Sequence, residues 1–384
     1  MEKKVLGKNQ TVARTLNNEL VIERLKREPL SGTELSTELR LSNATISSIL
    51  NSLLDHDLIK VESQDSLNGL GRKRVKYTIN GNYGLVVIVS LTSFNLKIVV
   101  SNLLNETLFI ETKEVNEYNV KTFYETIIRI KDILLLKQFR DTPLRNIILS
   151  VPGLVNVKTG ELQFSPQFSG ELFNNSNYIE KIFTDSFNCP VYLDNDTKLM
   201  MLGELSHNSF FNRDNGMLVY LDLGIGGAFE FNKKLFLGSR GYAGEFGLIE
   251  INVIGEPKAI DDLVSLRAIK ENLKEKYQLD LSIYEIIKSY KNGDSIIKNE
   301  VLESAKILAY GLSQVVKLFD IDTFLLTGRV SEFGDEYIKI VREYLQKINK
   351  DIVCEYSTLG TKAIIDGAKV IGSDYIISKV LKDL

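Results

Sequence analysis

Asn195 and Asp196 stand at the end of a strand-sized apolar run, Val191–Leu193, and at the start of a helical pattern, Asp196–Glu204. A carboxylate at a strand end beside an amide can accept hydrogen bonds from ligand hydroxyls, and it can take a proton from one. An aspartate at such a place also suits the cap of the following helix, and the two roles are compatible. Glu245, in Ala243-Gly-Glu-Phe-Gly247, can accept in the same way. Its flanking glycines let the backbone approach a ligand closely.

A second set of residues suits a different partner. Ile46, Ile49, Leu50, Leu53 and Leu54 recur at i, i+3, i+4, i+7 and i+8, the buried stripe of a helix that Ser42 can cap. The opposite face carries Asn43, Thr45, Ser47, Ser48 and Asn51, and no carboxylate occurs from Asn43 to Leu54. A face of short neutral donors and acceptors fits the major groove of DNA. Downstream, Arg72, Lys73, Arg74 and Lys76 cluster at a turn marked by Gly69 and Gly71. Cations there would hold phosphates, while Ser42 and the Asn, Ser and Thr side chains would read bases.

The elements that must position these residues follow from local pattern. Leu16, Leu20, Ile22 and Leu25 mark a first helix over roughly 12–28, ended by Pro29. Ser31-Gly-Thr-Glu34 is a capping box for a short second helix with Leu35 and Leu39 inward. A turn through Arg40-Leu41 leads to the third helix, and Leu58–Ser63 and Arg74–Ile79 form a hairpin. This order spells a winged helix-turn-helix over residues 1–80, the alternative being a small helical protein-interaction domain. Those residues hold 13 Lys+Arg against 10 Asp+Glu, and the remaining 304 hold 34 against 40. A basic head on an acidic body fits a nucleic-acid module joined to something else.

From Gly84 the texture changes to α/β. Strand-like runs at Leu85–Leu91, Leu96–Val100, Leu108–Glu111, Asn146–Val151 and Val191–Leu193 alternate with helical patterns, and a similar series begins at Met217–Leu223. Such a series makes a two-lobed body with a cleft, and Asn80–Tyr83 is the expected joint to the head. The whole chain has 384 residues, 44% apolar and 25% charged, with a net charge of −3. That excludes a fibre or extensive disorder. No apolar run approaches the ~18–20 residues of a membrane span. The start, Met1-Glu-Lys-Lys, lacks the apolar stretch of a signal peptide, so the cytoplasm is the expected location and no membrane partner is expected. Two cysteines, Cys189 and Cys354, build neither a disulfide framework nor a four-cysteine metal site.

With these residues in view, the chain resembles ROK-family proteins, sugar-responsive repressors and sugar kinases, over nearly its whole length. Leu41-Ser-Asn-Ala-Thr45 and Gly71-Arg-Lys-Arg74 resemble the repressors' recognition-helix start and wing. Val151-Pro-Gly-Leu-Val155, Leu193-Asp-Asn-Asp196 with Leu202-Gly-Glu204, Gly224-Ile-Gly226 and Ala243-Gly-Glu-Phe-Gly247 follow in family order. The resemblance implies an actin-like body over 84–384, with lobe 1 about 84–196 plus the C-terminal helix and lobe 2 about 197–366. It implies a sugar at Asn195, Asp196, Glu245 and Asp261, the last standing for a family glutamate. It puts the kinases' proton-accepting carboxylate at Asp196.

Departures from the family are as informative. Ser90, Thr92 and Asn95 occupy the first phosphate loop, where an acid and a glycine are lost. Asp222-Leu-Gly-Ile-Gly226 places a negative charge in the second, where a triphosphate would approach. Thr327-Gly-Arg329 replaces a glycine run; its arginine could pair with phosphate or fill the adenine pocket. Leu248 stands for a zinc-ligating histidine, and the family's zinc-site cysteines are missing, so neither metal nor cofactor is expected. The resemblance, so modified, implies a sugar-sensing regulator rather than an enzyme, with Asp196 a vestigial base. Its expected partners are an operator in double-stranded DNA, a sugar effector and a second copy in a homodimer or higher homo-oligomer. An active ATP-dependent sugar kinase with an attached DNA-binding domain is the alternative.

Overall fold

The computed structural model describes residues 6–65, 74–92, 95–115, 118–165, 167–168, 177–207, 213–253 and 255–384. In the head, helix Leu6–Arg27 precedes the short helix Gly32–Leu39 and the third helix Asn43–Asp55. Ser31 and Glu34 form the reciprocal box: the Ser31 amide donates to Glu34 Oε2 at 2.7 Å, and Ser31 Oγ accepts from the Glu34 amide at 3.3 Å. Arg40, at φ 54°, ends the second helix in the left-handed region, and Ser42 Oγ accepts from the Thr45 amide at 3.0 Å to start the third. Strands Ile59–Asp65 and Arg74–Ile79 pair antiparallel, with Leu30–Ser31 on the outer side of the second. Val21, Ile22, Leu25, Leu35, Ile46, Leu50, Leu53 and Ile79 fill the head's core.

The first helix departs from its sequence reading. It begins at Leu6, and Leu16 and Leu20 are exposed. The buried set is Asn18, Val21, Ile22 and Leu25, itself an i, i+3, i+4, i+7 stripe on a different face. Arg72 and Lys73 lie outside the described residues, and Arg74 opens the return strand.

In the body, two five-stranded sheets share one plan. In the first, Leu85–Leu91 runs antiparallel to Asn95–Ser101, which pairs with Thr107–Glu114; on its other side lie Leu144–Val151 and then Val191–Asn195, both parallel. The second repeats this with Asn215–Leu221, Ile225–Phe231 and Lys234–Phe236 on one side, and Thr323–Thr327 and Val353–Tyr356 on the other. Every residue of Leu85–Leu91 is buried, as expected of a central strand covered on both faces. Helix Ser295–Phe319 backs the second sheet, its Ala305, Leu308, Leu312 and Val316 facing Phe324 and Leu326 in one core. Residues 261–277 form two helices, Asp261–Val264 and Leu266–Tyr277, because Ser265 caps the second by accepting from the Ala268 amide.

The C-terminal helix Lys362–Asp383 lies on the first sheet: Asn146 Nδ2 donates to the Gly372 carbonyl at 2.9 Å, and Tyr192 stacks on Tyr375 with ring centres 4.0 Å apart. It also crosses helix Asp196–Ser206 at glycines. A Cβ on Gly367 would lie 1.9 Å from the Leu199 carbonyl oxygen, and one on Gly203 would lie 2.1 Å from that of Ala363. Only hydrogen at these positions lets the backbones approach so closely. The head rests on the same C-terminal helix through an ion pair of Lys26 with Asp374. Asn80 caps the 3-10 turn Gly81–Tyr83 that joins head to body. Among the described residues no helix is long and apolar enough to cross a membrane.

Candidate ligand-binding cleft and DNA face

Strand Val191–Asn195 ends directly at helix Asp196–Ser206. Asn195, not Asp196, caps the helix that follows: its Oδ1 accepts from the Lys198 amide at 3.1 Å. Its Nδ2 donates to the Gly153 carbonyl at 2.8 Å, which ties the Val151-Pro-Gly-Leu-Val155 segment to the same corner. Capping therefore does not occupy Asp196. Asp196 Oδ1 accepts from the Thr197 amide at 2.7 Å, and Oδ2 has no hydrogen-bond partner among the described residues. Burial pushes its carboxyl up to about 7, with the Glu245 charge adding to the rise and the Thr197 hydrogen bonds and Lys198 opposing it. A buried acid with one unengaged oxygen and an affinity for protons near neutrality can exchange a proton with a ligand hydroxyl.

Glu245 stands at a tight turn in which the Phe246 amide donates to the Gly244 carbonyl at 2.6 Å. Burial raises its carboxyl and Lys198 holds it down. Lys198 was missed in the sequence reading. Its side chain is 1% exposed, with Nζ 3.5 Å from Glu245 Oε1 and donating to the Gly241 carbonyl. The signal was a lone cation in the apolar run Lys198-Leu-Met-Met-Leu202. Asn195, Asp196 and Glu245 thus come together, with Lys198 among them. The start of the helix also meets the second phosphate loop, where a Cβ on Gly226 would lie 2.4 Å from Thr197 Oγ1.

Asp261 is placed differently. Its Oδ1 accepts from the Ile225 amide at 2.6 Å, and its Oδ2 pairs with Arg267. It props the second phosphate loop instead of joining Asp196. In that loop Asp222 forms a bidentate ion pair with Arg329, whose Nε lies 2.9 and 3.1 Å from the two carboxylate oxygens. Tyr220 lies between the charges of Asp222 and Asp196, and burial raises its hydroxyl well above the ordinary range. In the first phosphate loop, Thr92 and Asn95 are joined by the Thr92 amide donating to the Asn95 carbonyl at 3.0 Å. Leu248 is exposed, and among the described residues no group of three His, Cys, Asp or Glu side chains could hold a metal ion. Cys189 and Cys354 are buried, their thiols pushed up to about 11 and about 12 by burial.

In the head, Ser42, Asn43, Ser47, Ser48 and Asn51 are exposed, and Thr45 is half-buried with its hydroxyl 2.8 Å from that of Ser42. The recognition helix thus presents its uncharged face outward. The sequence model of the ROK family matches residues 98–380.

The chain belongs to the ROK family.

Among relatives of this ROK chain, the xylose repressor of Caldicellulosiruptor bescii is 23% identical over 403 aligned residues, with 98% of both chains covered. The fold matches the crystal structure of a ROK family transcriptional regulator, homolog of E. coli MLC protein, at a TM-score of 0.80, with 20% identity and 97% of this chain and 100% of that one covered. It also matches the ROK hexokinase of Thermus thermophilus at 0.62 and 20% identity, where 77% of this chain covers 99% of the enzyme. The body therefore has the two-lobed actin-like ROK architecture, and the full-length match is to a regulator.

Proposed function

We propose that this ROK chain is a sugar-responsive DNA-binding regulator of transcription, a cytoplasmic repressor of carbohydrate-metabolism genes. The winged head, residues 1–80, grips an operator with Ser42, Asn43, Thr45, Ser47, Ser48 and Asn51 against bases and Arg72, Lys73 and Arg74 against phosphates. The body, residues 84–384, binds a sugar between its lobes at Asn195, Asp196 and Glu245. A homodimer sets two recognition helices about 34–36 Å apart on a near-palindromic site. The sugar shifts the lobe arrangement by its differential affinity for the two states. The C-terminal helix carries the change, since it meets the Asp196 helix at Gly203 and Gly367 and the head at Lys26.

One observation carries the choice of sensor over enzyme: Arg329 and Asp222 are paired where a nucleotide's phosphates would have to be neutralised. A thermal-shift screen of xylose, glucose and their phosphates, with and without magnesium ATP, tests this. A sugar alone should raise the melting temperature by mass action, and ATP should add nothing. The second reading, an ATP-dependent sugar kinase, draws on Asp196, whose raised carboxyl suits a base near neutrality. Sugar-dependent release of ADP would establish it.

A further inference from the structure

A groove of about 470 Å³ runs between the first helix of the head and the recognition helix, lined by Arg14, Asn17, Asn18, Thr45 and Ser48. Asn18 is 3% exposed, yet its carboxamide makes no hydrogen bond among the described residues. The small part of Asn18 that is exposed opens on the groove, so its carboxamide is free to bond a group that enters there. Arg14 is exposed and unpaired among the described residues, whereas Arg24 and Lys26 on the same helix are taken by Glu28, Glu38 and Asp374. Among the described residues no carboxylate lines the groove. Its other wall is the third helix from Ala44 to Ser52, whose lining side chains are uncharged.

We propose that this groove, which borders the recognition face at Thr45 and Ser48, extends the DNA contact onto the first helix: it seats a backbone phosphate of the duplex, paired with Arg14 and hydrogen-bonded by the amides of Asn17 and Asn18. The proposal rests on the DNA-binding reading above. It gives the first helix a part in binding beyond packing the head. Contacts of this kind add affinity without sequence preference.

The test uses the full chain and a fluorescent 30-base-pair duplex of random sequence, titrated by anisotropy between about 50 and 200 mM salt. Each phosphate contact contributes about 0.9 to the slope of log affinity against log salt. Arg14→Ala should flatten the slope by about 1, with a several-fold loss of affinity that shrinks as salt rises. Asn18→Leu should weaken binding several-fold with no change of slope and no loss of melting temperature, since it removes an unpaired amide. Asn17→Ala, at the mouth of the groove, gives a second reading should Asn18→Leu fail to fold. Wild-type binding and slope in Arg14→Ala and Asn17→Ala, with a flattened curve for Lys73→Ala in the wing, would sink the groove and leave the DNA reading intact. Absence of salt-dependent duplex binding by the wild type would sink both.

Discussion

Arg329 and Asp222, 107 positions apart in sequence, share two nitrogen–oxygen contacts of 2.9 and 3.1 Å where strand Asn215–Leu221 gives way to the loop before Ile225. The Asp222 side chain is only 9% exposed, against 29% for Arg329. Asp222 also accepts from the Leu223 amide at 2.7 Å, and its own amide donates to the Gly224 carbonyl at 2.9 Å. The pair therefore fixes the loop's shape as well as its charge.

Removing one partner should cost more than removing both. Arg329→Ala leaves a nearly buried carboxylate unpaired and should destabilise the body by about 2–4 kcal/mol. Asp222→Ala combined with Arg329→Ala should recover part of that loss. Urea midpoints across the four proteins of a double-mutant cycle measure it. Strictly additive losses would mean the two side chains do not act together.

Asp196 makes stability depend on pH. Its carboxyl is raised from an ordinary 3.8 to about 7, so the folded protein holds a proton there that the unfolded chain releases. Stability from this group is present in full below about pH 4 and is lost as pH rises toward 7. Asp196→Asn should therefore raise the melting temperature at pH 8 and change it little at pH 4. Each pH unit of displacement is worth about 1.4 kcal/mol, so half of this one is already ~2 kcal/mol. A variant no more stable than wild type at pH 8 would contradict the assignment. The same substitution should abolish the sugar response while leaving DNA binding intact in a gel shift.

Lys198 should matter to ligand more than to fold. Lys198→Met keeps the length and apolar body of the side chain while removing the charge beside Glu245. Glu245, at 26% exposure, is more open to water than Asp222 at 9%, so the urea midpoint should fall by less than for Arg329→Ala. Affinity for the effector, measured by calorimetry with whichever sugar the thermal screen identifies, should fall about tenfold or more, because Glu245 loses the cation that opposes the upward push of burial on its carboxyl. Unchanged affinity would remove Lys198 from the site.

The crossing at Gly367 tolerates no side chain. Gly367→Ala drives a methyl to within 1.9 Å of the Leu199 carbonyl oxygen, so the two helices must part. Overpacking of this kind costs about 1–3 kcal/mol. Gly360→Ala, also in a segment next to the C-terminal helix but with nothing within 4 Å of its added Cβ, is the comparison. Gly360 has φ +56°, so any loss there is backbone strain alone. Because the crossing links the Asp196 helix to the head, Gly367→Ala should also blunt the sugar response in a gel shift. A variant with wild-type melting temperature and response would show the crossing to be slack.

Much of this was legible locally. The box at Ser31 and Glu34, the cap at Ser42 and the stripe from Ile46 to Leu53 are read within one or two helical turns, and each stands where the residues put it. The central strands were equally plain, because a strand covered on both faces is a continuous apolar run. Helix Ile283–Lys291 carried an equally clear signal in the Ser282–Glu285 box and was passed over. Where a stripe had two possible phases, as in the first helix, pattern alone chose the exposed Leu16 and Leu20 over the buried Asn18 and Val21.

The sequence alone determined the order of helices and strands in the head, the uncharged outer face of its third helix, the central strands, the family, and the placing of Asn195 and Asp196 where a strand meets a helix. These rest on neighbours in the chain or on motifs, and short-range sterics and hydrogen bonding dictate them. Only the tertiary structure decided that Asn195 caps while Asp196 Oδ2 stays unengaged, that Asp261 props a loop, that Lys198 is buried beside Glu245, and that Arg329 closes on Asp222. Each of those outcomes turns on which side chains meet after distant segments pack and lose water. Burial and partner, which set a charge's behaviour, are properties of that packing, and no spacing along the chain contains them.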